Sequence, residues 1–249
     1  GAGAVVMREF KTRPCLMSRR DREGTIGQTR HHHTTPGDGM HWHGKLLIAV
    51  VLSLGVVTNS WAGAPTDQLR SYTDQILKVL ENQSLSLPEK RAAVRKLASE
   101  AFDTMETAQR ALGPHWQQLS PAQRDEFTRL FANLLEQTYI SRIDEYGGER
   151  LTYVSEQITG DRAVVRARIT TTKGTEVPVE SRLTLKGDRW LTYDILIENL
   201  SLISNYRSQF DRVIRTSGYP ELVKRLQARV EALSEKETKA PRGASPTLR

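Results

Sequence analysis

Asp194 and Glu198 are the residues whose type and spacing first suggest chemistry. They stand four apart at the end of the alternating stretch Trp190–Ile197. A strand carried that far places both carboxylates on one face. A carboxylate held among apolar neighbours can act as a general base, as in small cone-shaped α+β isomerases. The same aspartate can instead bond a backbone amide or an arginine, with Glu198 solvated, and serve structure alone. Other chemistry is thinly provided. Of six histidines only His115 lies beyond residue 64, beside Pro114 and Trp116, and the single cysteine is Cys15. One histidine and no cysteine cannot build the common zinc or copper sites in the region after residue 64. A Ser-His-Asp or Cys-His arrangement would have to use His115. There is no Walker A loop and no dinucleotide-type glycine motif. No cofactor is implied.

The elements that position Asp194 follow from a change of hydrophobic period. Leu69, Tyr72, Ile76 and Leu80 share one face of a helix over 66–80. Ser86-Leu87-Pro88-Glu89 is a capping-box start with proline in the first turn. It opens a helical stretch through Val94, Leu97, Ala98, Ala101, Phe102 and Met105 that ends at Gly113-Pro114. Ser120-Pro121-Ala122-Gln123 opens a long helix with Phe127, Leu130, Phe131, Leu134 and Leu135 on one side, stopped by Gly147-Gly148. The period then becomes 2. Strands are predicted over 151–158, 163–169, 177–185 and 190–197, with turns at Lys173-Gly174 and Gly187-Asp188. Pro178 lacks an amide donor, which predicts an edge or a bulge for the third strand. Ser201 caps a helix through Ile203, Tyr206, Phe210 and Val213, and a last helix runs from Pro220 to Leu233. Short turns between consecutive strands mean an antiparallel sheet. The class is α+β: four strands with several helices packed on one face.

The ends read differently. Met40–Lys45 followed by the apolar run Leu46–Val57 and by Trp61-Ala62-Gly63-Ala64 has the pattern of a secretory signal peptide over 40–64. The run is short for a bilayer span, which takes about 20 apolar residues. Residues 1–39, rich in Arg, Gly and Thr, are expected to be a disordered upstream extension outside the folded body. Residues 234–249 are rich in Lys, Glu, Pro and Ser, and disorder is expected there too. The folded domain is thus placed at 65–233. The chain carries a formal charge of +7. Most of it lies at the two ends, and 65–233 is close to neutral. A nucleic-acid partner needs a basic stripe on the folded domain, and none is indicated.

The stretch from Trp190 to Phe210 closely resembles the signature of the MlaC, or toluene-tolerance, family, which reads roughly W-x-V-Y-D-V-x-I-E-G-V-S-L-V-x-N-Y-R-x-Q-F. Trp190, Tyr193, Asp194, Ile197, Glu198, Ser201, Leu202, Asn205, Tyr206, Arg207, Gln209 and Phe210 match. Phe127–Tyr139 is similar to the family's F-x-x-x-F-x-x-L-L-x-x-T-Y helix. Asn199 stands where the family has glycine, and asparagine tolerates left-handed backbone angles. The resemblance implies a periplasmic phospholipid carrier and no enzyme. Its implied partners are an inner-membrane ABC transporter with an MCE-domain protein and an outer-membrane lipoprotein associated with porins. Some relatives sit in hopanoid-associated gene sets, which leaves another amphiphile open as cargo.

A carrier of acyl chains must offer a dry slot, so an apolar cavity is expected between splayed layers. The long apolar strips Val177, Val179, Leu183 and Leu185 on the sheet, and Phe127, Phe131 and Leu134 on the long helix, are candidate lipid contacts. Tyr206, Phe210 and Gln209 follow the signature turn. Arg207 is either a phosphate donor or half of a structural salt bridge. The signal pattern makes its own prediction. N-terminal sequencing of exported protein should find a start just after Ala62 or Ala64, and a product beginning at Gly1 would refute this.

Overall fold

The computed structural model describes residues 64–239. The expected upstream extension and the body of the signal peptide lie outside the described residues. Helices α1 (Pro65–Glu81), α2 (Leu87–Ala101), α3 (Thr104–Leu112) and α4 (Pro121–Tyr139) come first, with 3-10 turns at Gly113–Gln118 and Ile140–Glu145. Five strands follow: β1 (Arg150–Thr159), β2 (Arg162–Thr170), β3 (Glu176–Lys186), β4 (Arg189–Ile197) and β5 (Leu200–Ser201). Helices α5 (Leu202–Ser217) and α6 (Tyr219–Lys239) complete the described chain. The architecture is α+β, with one antiparallel sheet in the order β1-β2-β3-β4-β5. Among the described residues no helix is long and apolar enough to cross a membrane.

Four details differ from expectation. The sheet has five strands, because Leu200 and Ser201 pair with Ile197 and Leu196 before α5 begins. A two-residue strand leaves no alternating pattern to read. The helix expected from Ser86 to Gly113 is two helices. Phe102 is extended (φ −109, ψ 139) and bridges Thr192, and the Asp103 N–H donates to the Thr192 carbonyl at 2.9 Å. Asp103 then caps α3, accepting from the Glu106 N–H at 2.9 Å. Pro178 lies inside the sheet rather than at an edge, opposite Arg168. Its carbonyl accepts from the Glu198 N–H at 3.0 Å, just past the end of β4, so the missing donor interrupts no ladder. Finally, α6 continues through Lys239, past the boundary expected at Leu233.

Two separate apolar clusters hold the fold. The helical cluster joins Leu112, Trp116, Phe127, Phe131, Leu134, Ile203, Tyr206, Phe210, Val213, Leu222 and Leu226 from α3 to α6. The sheet cluster joins Ala163, Val165, Leu183 and Trp190, with Leu69 of α1, Tyr153 and Leu185 packed against it. Helix α1 is pinned across the sheet by polar contacts as well. The Trp190 N–H donates to Gln68 Oε1 at 2.6 Å, and the Tyr153 hydroxyl donates to Thr73 Oγ1 at 3.0 Å.

A charged cluster ties α3 to the sheet. Glu106 Oε1 accepts from Arg110 Nε at 2.8 Å and Arg162 Nη1 at 3.1 Å, and both guanidinium groups lie over the Tyr193 ring. Burial pushes the Glu106 carboxyl up, but hydrogen bonds from Arg110 and Arg162 outweigh it and hold the group below its ordinary range. A depressed folded value means that this contribution is fully present above the ordinary glutamate range. It is lost as pH falls through the lowered value. Glu106→Gln should therefore lower stability near neutral pH by about 1 kcal/mol or less. The difference from wild type should shrink in acid. Urea midpoints measured against pH check this, and a pH-independent difference would contradict it.

Candidate functional site

The register places Leu151 and Tyr153 of β1, Ala167 and Ile169 of β2, Val177 and Val179 of β3, and Ile195 and Ile197 of β4 on one face of the sheet. This is the face that carries Leu183 and, on it, α1. The strip has two ends. At one, Leu183 is 1% exposed and sealed under Leu69. Towards the other, Leu151, Ile169, Val179, Ile195 and Ile197 remain half-buried. Ile76, Leu77 and Leu80, in the later turns of α1, are half-buried as well. Apolar side chains left part-open in rows on neighbouring strands are the pattern of a surface awaiting an apolar partner.

A cleft of about 480 Å³ opens at the end of α1, between Leu80, Leu85 and Leu87 on one side and Ile143 and Tyr146 on the other, with Glu81 and Lys90 also on its walls. That volume falls in the range of small-molecule sites, roughly 300–1,000 Å³. The walls are mixed rather than apolar throughout, so this cleft differs from the enclosed apolar cavity expected.

The candidate residues separate into three groups. Phe127, Phe131, Tyr206 and Phe210 form one aromatic knot, with ring centroids 5.0–5.7 Å apart and mostly edge-to-face. Together with Leu134 they are sealed in the helical cluster. Val177 and Leu183 are buried on the sheet, whereas Val179 and Leu185 are half-buried. The helical and sheet strips therefore do not merge into the continuous surface expected. The main neighbours of α4 are α6, α3 and the Ile140–Glu145 turn, while α1 is the helix that touches β1, β2 and β4. Arg207 is exposed on α5 and lies against Gly113, where an added Cβ would stand 2.6 Å from its Nε. It forms no ion pair among the described residues. Gln209 is buried beside Asn205, whose Oδ1 accepts from its Nε2 at 3.2 Å. Ile195, Ile197, Leu151 and Ile169 are strip residues that sequence reasoning missed as candidates. Their alternation was visible, but β4 has apolar residues on both faces and so gave no side to prefer.

Asp194 and His115 are both engaged. Asp194 is 5% exposed; its Oδ2 accepts from the Ser201 hydroxyl at 2.7 Å and its Oδ1 from the Ile203 N–H at 3.1 Å. Glu198 and Asn199 have φ of 50° and 65°, so Asn199 adopts the left-handed turn where the family has glycine. These two residues reverse the chain, so that Ser201 and Ile203 return to Asp194. His115 Nε2 pairs with Asp211 Oδ1 at 2.9 Å, and Arg215 Nε donates to the same oxygen at 2.9 Å. Hydrogen bonding from His115, with Arg215 beside it, holds the Asp211 carboxyl below its ordinary range.

Taken together, the fold and the site define an α+β domain with a half-open apolar strip and a mixed cleft. The chain belongs to the MlaC protein family, whose family model matches residues 70–228. It is 23% identical over 123 residues to the intermembrane phospholipid transport system binding protein MlaC of Haemophilus influenzae, covering 47% of this chain and 58% of that relative. The chain thus spans little more than half the length of the curated relative. Among solved structures it is similar to a phospholipid-binding protein from Ralstonia solanacearum in complex with a phospholipid, with a TM-score of 0.62 and 25% identity. That likeness covers 69% of this chain and 99% of the other.

The geometry of Asp194 makes a prediction. Asp194→Asn keeps one carbonyl acceptor but loses the second anionic oxygen, so one of the two bonds is left unmade or weakened. A loss of about 1–3 kcal/mol is expected. Chemical denaturation measures it, and a variant as stable as wild type would refute the structural role.

Proposed function

We propose that this protein is a periplasmic phospholipid carrier. It takes lipid from, or delivers it to, an MCE-domain inner-membrane ABC transporter and exchanges it with an outer-membrane lipoprotein–porin complex. The observation that carries the reading is the likeness over 99% of a solved chain that holds a phospholipid. The half-open strip supports it physically. Each methylene removed from water is worth about 0.8 kcal/mol, so free acyl chains cannot cross an aqueous space unaided. Leu151, Ile169, Val179, Ile195 and Ile197 offer apolar surface that the fold itself leaves part-exposed. In this reading the tails lie along that strip under the later turns of α1. The aromatic knot is core that supports them from a distance.

Two aspartate substitutions separate slot from core. Val179 is half-buried between Ala167 and Ile197, whereas Leu183 is 1% exposed between Ala163 and Thr192. A carboxylate facing a dry slot costs several kcal/mol of tail binding. Val179→Asp should therefore fold and lose at least tenfold of the lipid that co-purifies with wild type. Leu183→Asp should unfold. Circular dichroism and mass spectrometry of extracted lipid provide the two readouts. Wild-type protein that carries no phospholipid, or Val179→Asp protein that carries as much as wild type, would refute the reading.

A further inference from the structure

The strip under α1 is fastened at one end only. There Ala163, Val165, Leu183 and Trp190 are each at most 4% exposed, and Leu69 of α1 packs on them. The polar ties between α1 and the sheet gather around this leucine. The Thr66 N–H donates to Glu156 Oε2 at 2.7 Å, and the Trp190 N–H donates to Gln68 Oε1 at 2.6 Å. Arg189 Nη2 donates to the Tyr72 hydroxyl at 2.8 Å. The bond from the Tyr153 hydroxyl to Thr73 Oγ1, at 3.0 Å, is the last of them along the helix among the described residues. Beyond Thr73 the residues that α1 offers the strip are Ile76, Leu77 and Leu80, all half-buried. A strip sealed and clamped at one end, and half-open towards the other, is a blind slot.

A blind slot measures what enters it. Each methylene that leaves water for the slot strengthens binding about fourfold, the equivalent of about 0.8 kcal/mol. A methylene that cannot pass the closed end stays in water and adds nothing. Building on the carrier reading, we propose that Leu69, backed by Leu183 and Trp190, is the wall that sets the acyl chain length this protein holds. On β2 the floor of the slot is Ala163 and Ala167, which reach no further than Cβ. The depth over that strand is therefore left to what α1 sends down, and at the closed end that side chain is Leu69. Leu69 is itself half-buried, whereas Leu183 is 1% exposed. Shortening Leu69 thus opens the wall while removing less core than shortening Leu183.

The test titrates delipidated protein with single-chain phospholipids of one headgroup, stepped in chain length and each kept below its micellar concentration. Calorimetry gives Kd for each member. Wild-type affinity should rise about fourfold per added methylene and then stop rising at one chain length. In Leu69→Ala that break should move to longer chains. If Leu69→Ala fails to fold by circular dichroism, Val179→Phe decides. It fills part of the half-open strip ahead of the wall and should bring the break to shorter chains. Wild-type affinity that keeps rising through the series, or that ignores chain length, overturns the wall and leaves the carrier reading standing. A folded Leu69→Ala protein, or in its place a folded Val179→Phe protein, with the break unmoved overturns the assignment to Leu69. No binding of any member overturns the wall as well, and if wild type also purifies without phospholipid the carrier reading falls with it.

Discussion

One buried carboxylate aims the helical layer. Asp194, on the last turn-ward part of β4, accepts from the Ser201 hydroxyl and from the Ile203 N–H. Between them the chain reverses through two left-handed residues, Glu198 and Asn199. The Ile203 N–H is one of the donors that the first turn of α5 cannot satisfy within the helix, so the aspartate completes a helix end as well as closing a corner. Ser201 adds its own cap, accepting from the Ser204 N–H at 2.9 Å. The direction of α5 is fixed where it leaves the sheet. That direction decides where Tyr206, Phe210 and Val213 point, and they are the partners of Phe127 and Phe131 on α4. An ionised group with both oxygens bonded in a buried corner is strongly directional, as apolar packing alone is not. Arg182, 3.9 Å away, adds proximity of charge rather than a hydrogen bond.

The corner also explains why the described residues form two apolar clusters rather than one. Helices α3 to α6 bury their apolar faces against one another around the aromatic knot. They meet the sheet mainly through β4, by Asp194, by the Asp103–Thr192 bond and by the Thr107 hydroxyl, which donates to the Tyr193 carbonyl at 3.2 Å. Helix α1 is the one that packs against the sheet cluster of β2, β3 and β4 through Leu69. Its contacts are concentrated near Leu69 and Thr73, leaving Ile76, Leu77 and Leu80 half-buried. The part-open strip is thus a consequence of topology. A single helix secured at one end covers a sheet whose other helices are committed elsewhere.

Much of the fold was readable locally. The caps Ser86, Ser120 and Ser201, each before a helical apolar period, place three helix starts, and alternation places four strands. What failed was set from a distance. Ala101, Phe102 and Met105 continue a helical period, yet the break at Phe102–Asp103 is imposed by pairing with Thr192, far along the chain. Pro178 argues against a central strand unless it is known that β4 ends beside it. The site suffered similarly. Apolar strips on α4 and β3 look alike in sequence, and only packing shows that Phe131 is sealed while Val179 is half-open. The cleft has no local signature, because its walls come from the end of α1, the following loop, the start of α2 and the turn before β1.

For a carrier this division of labour has a thermodynamic use. A protein whose only core were its ligand slot would lose that core on each delivery, because whatever binds the folded state stabilises it and its departure withdraws that stability. Here the sealed residues that dominate burial, Phe127, Phe131, Phe210, Leu134, Leu222 and Leu226, lie in the helical cluster away from the strip. Each fully buried apolar side chain of this size contributes about 1.5–3 kcal/mol relative to exposure, so the helical layer draws its stability from side chains away from the strip. The strip, by contrast, is only half-buried in the fold, and on the carrier reading proposed above covering it would supply binding energy. On that reading, release of a lipid exposes the half-buried strip and not the sealed helical core.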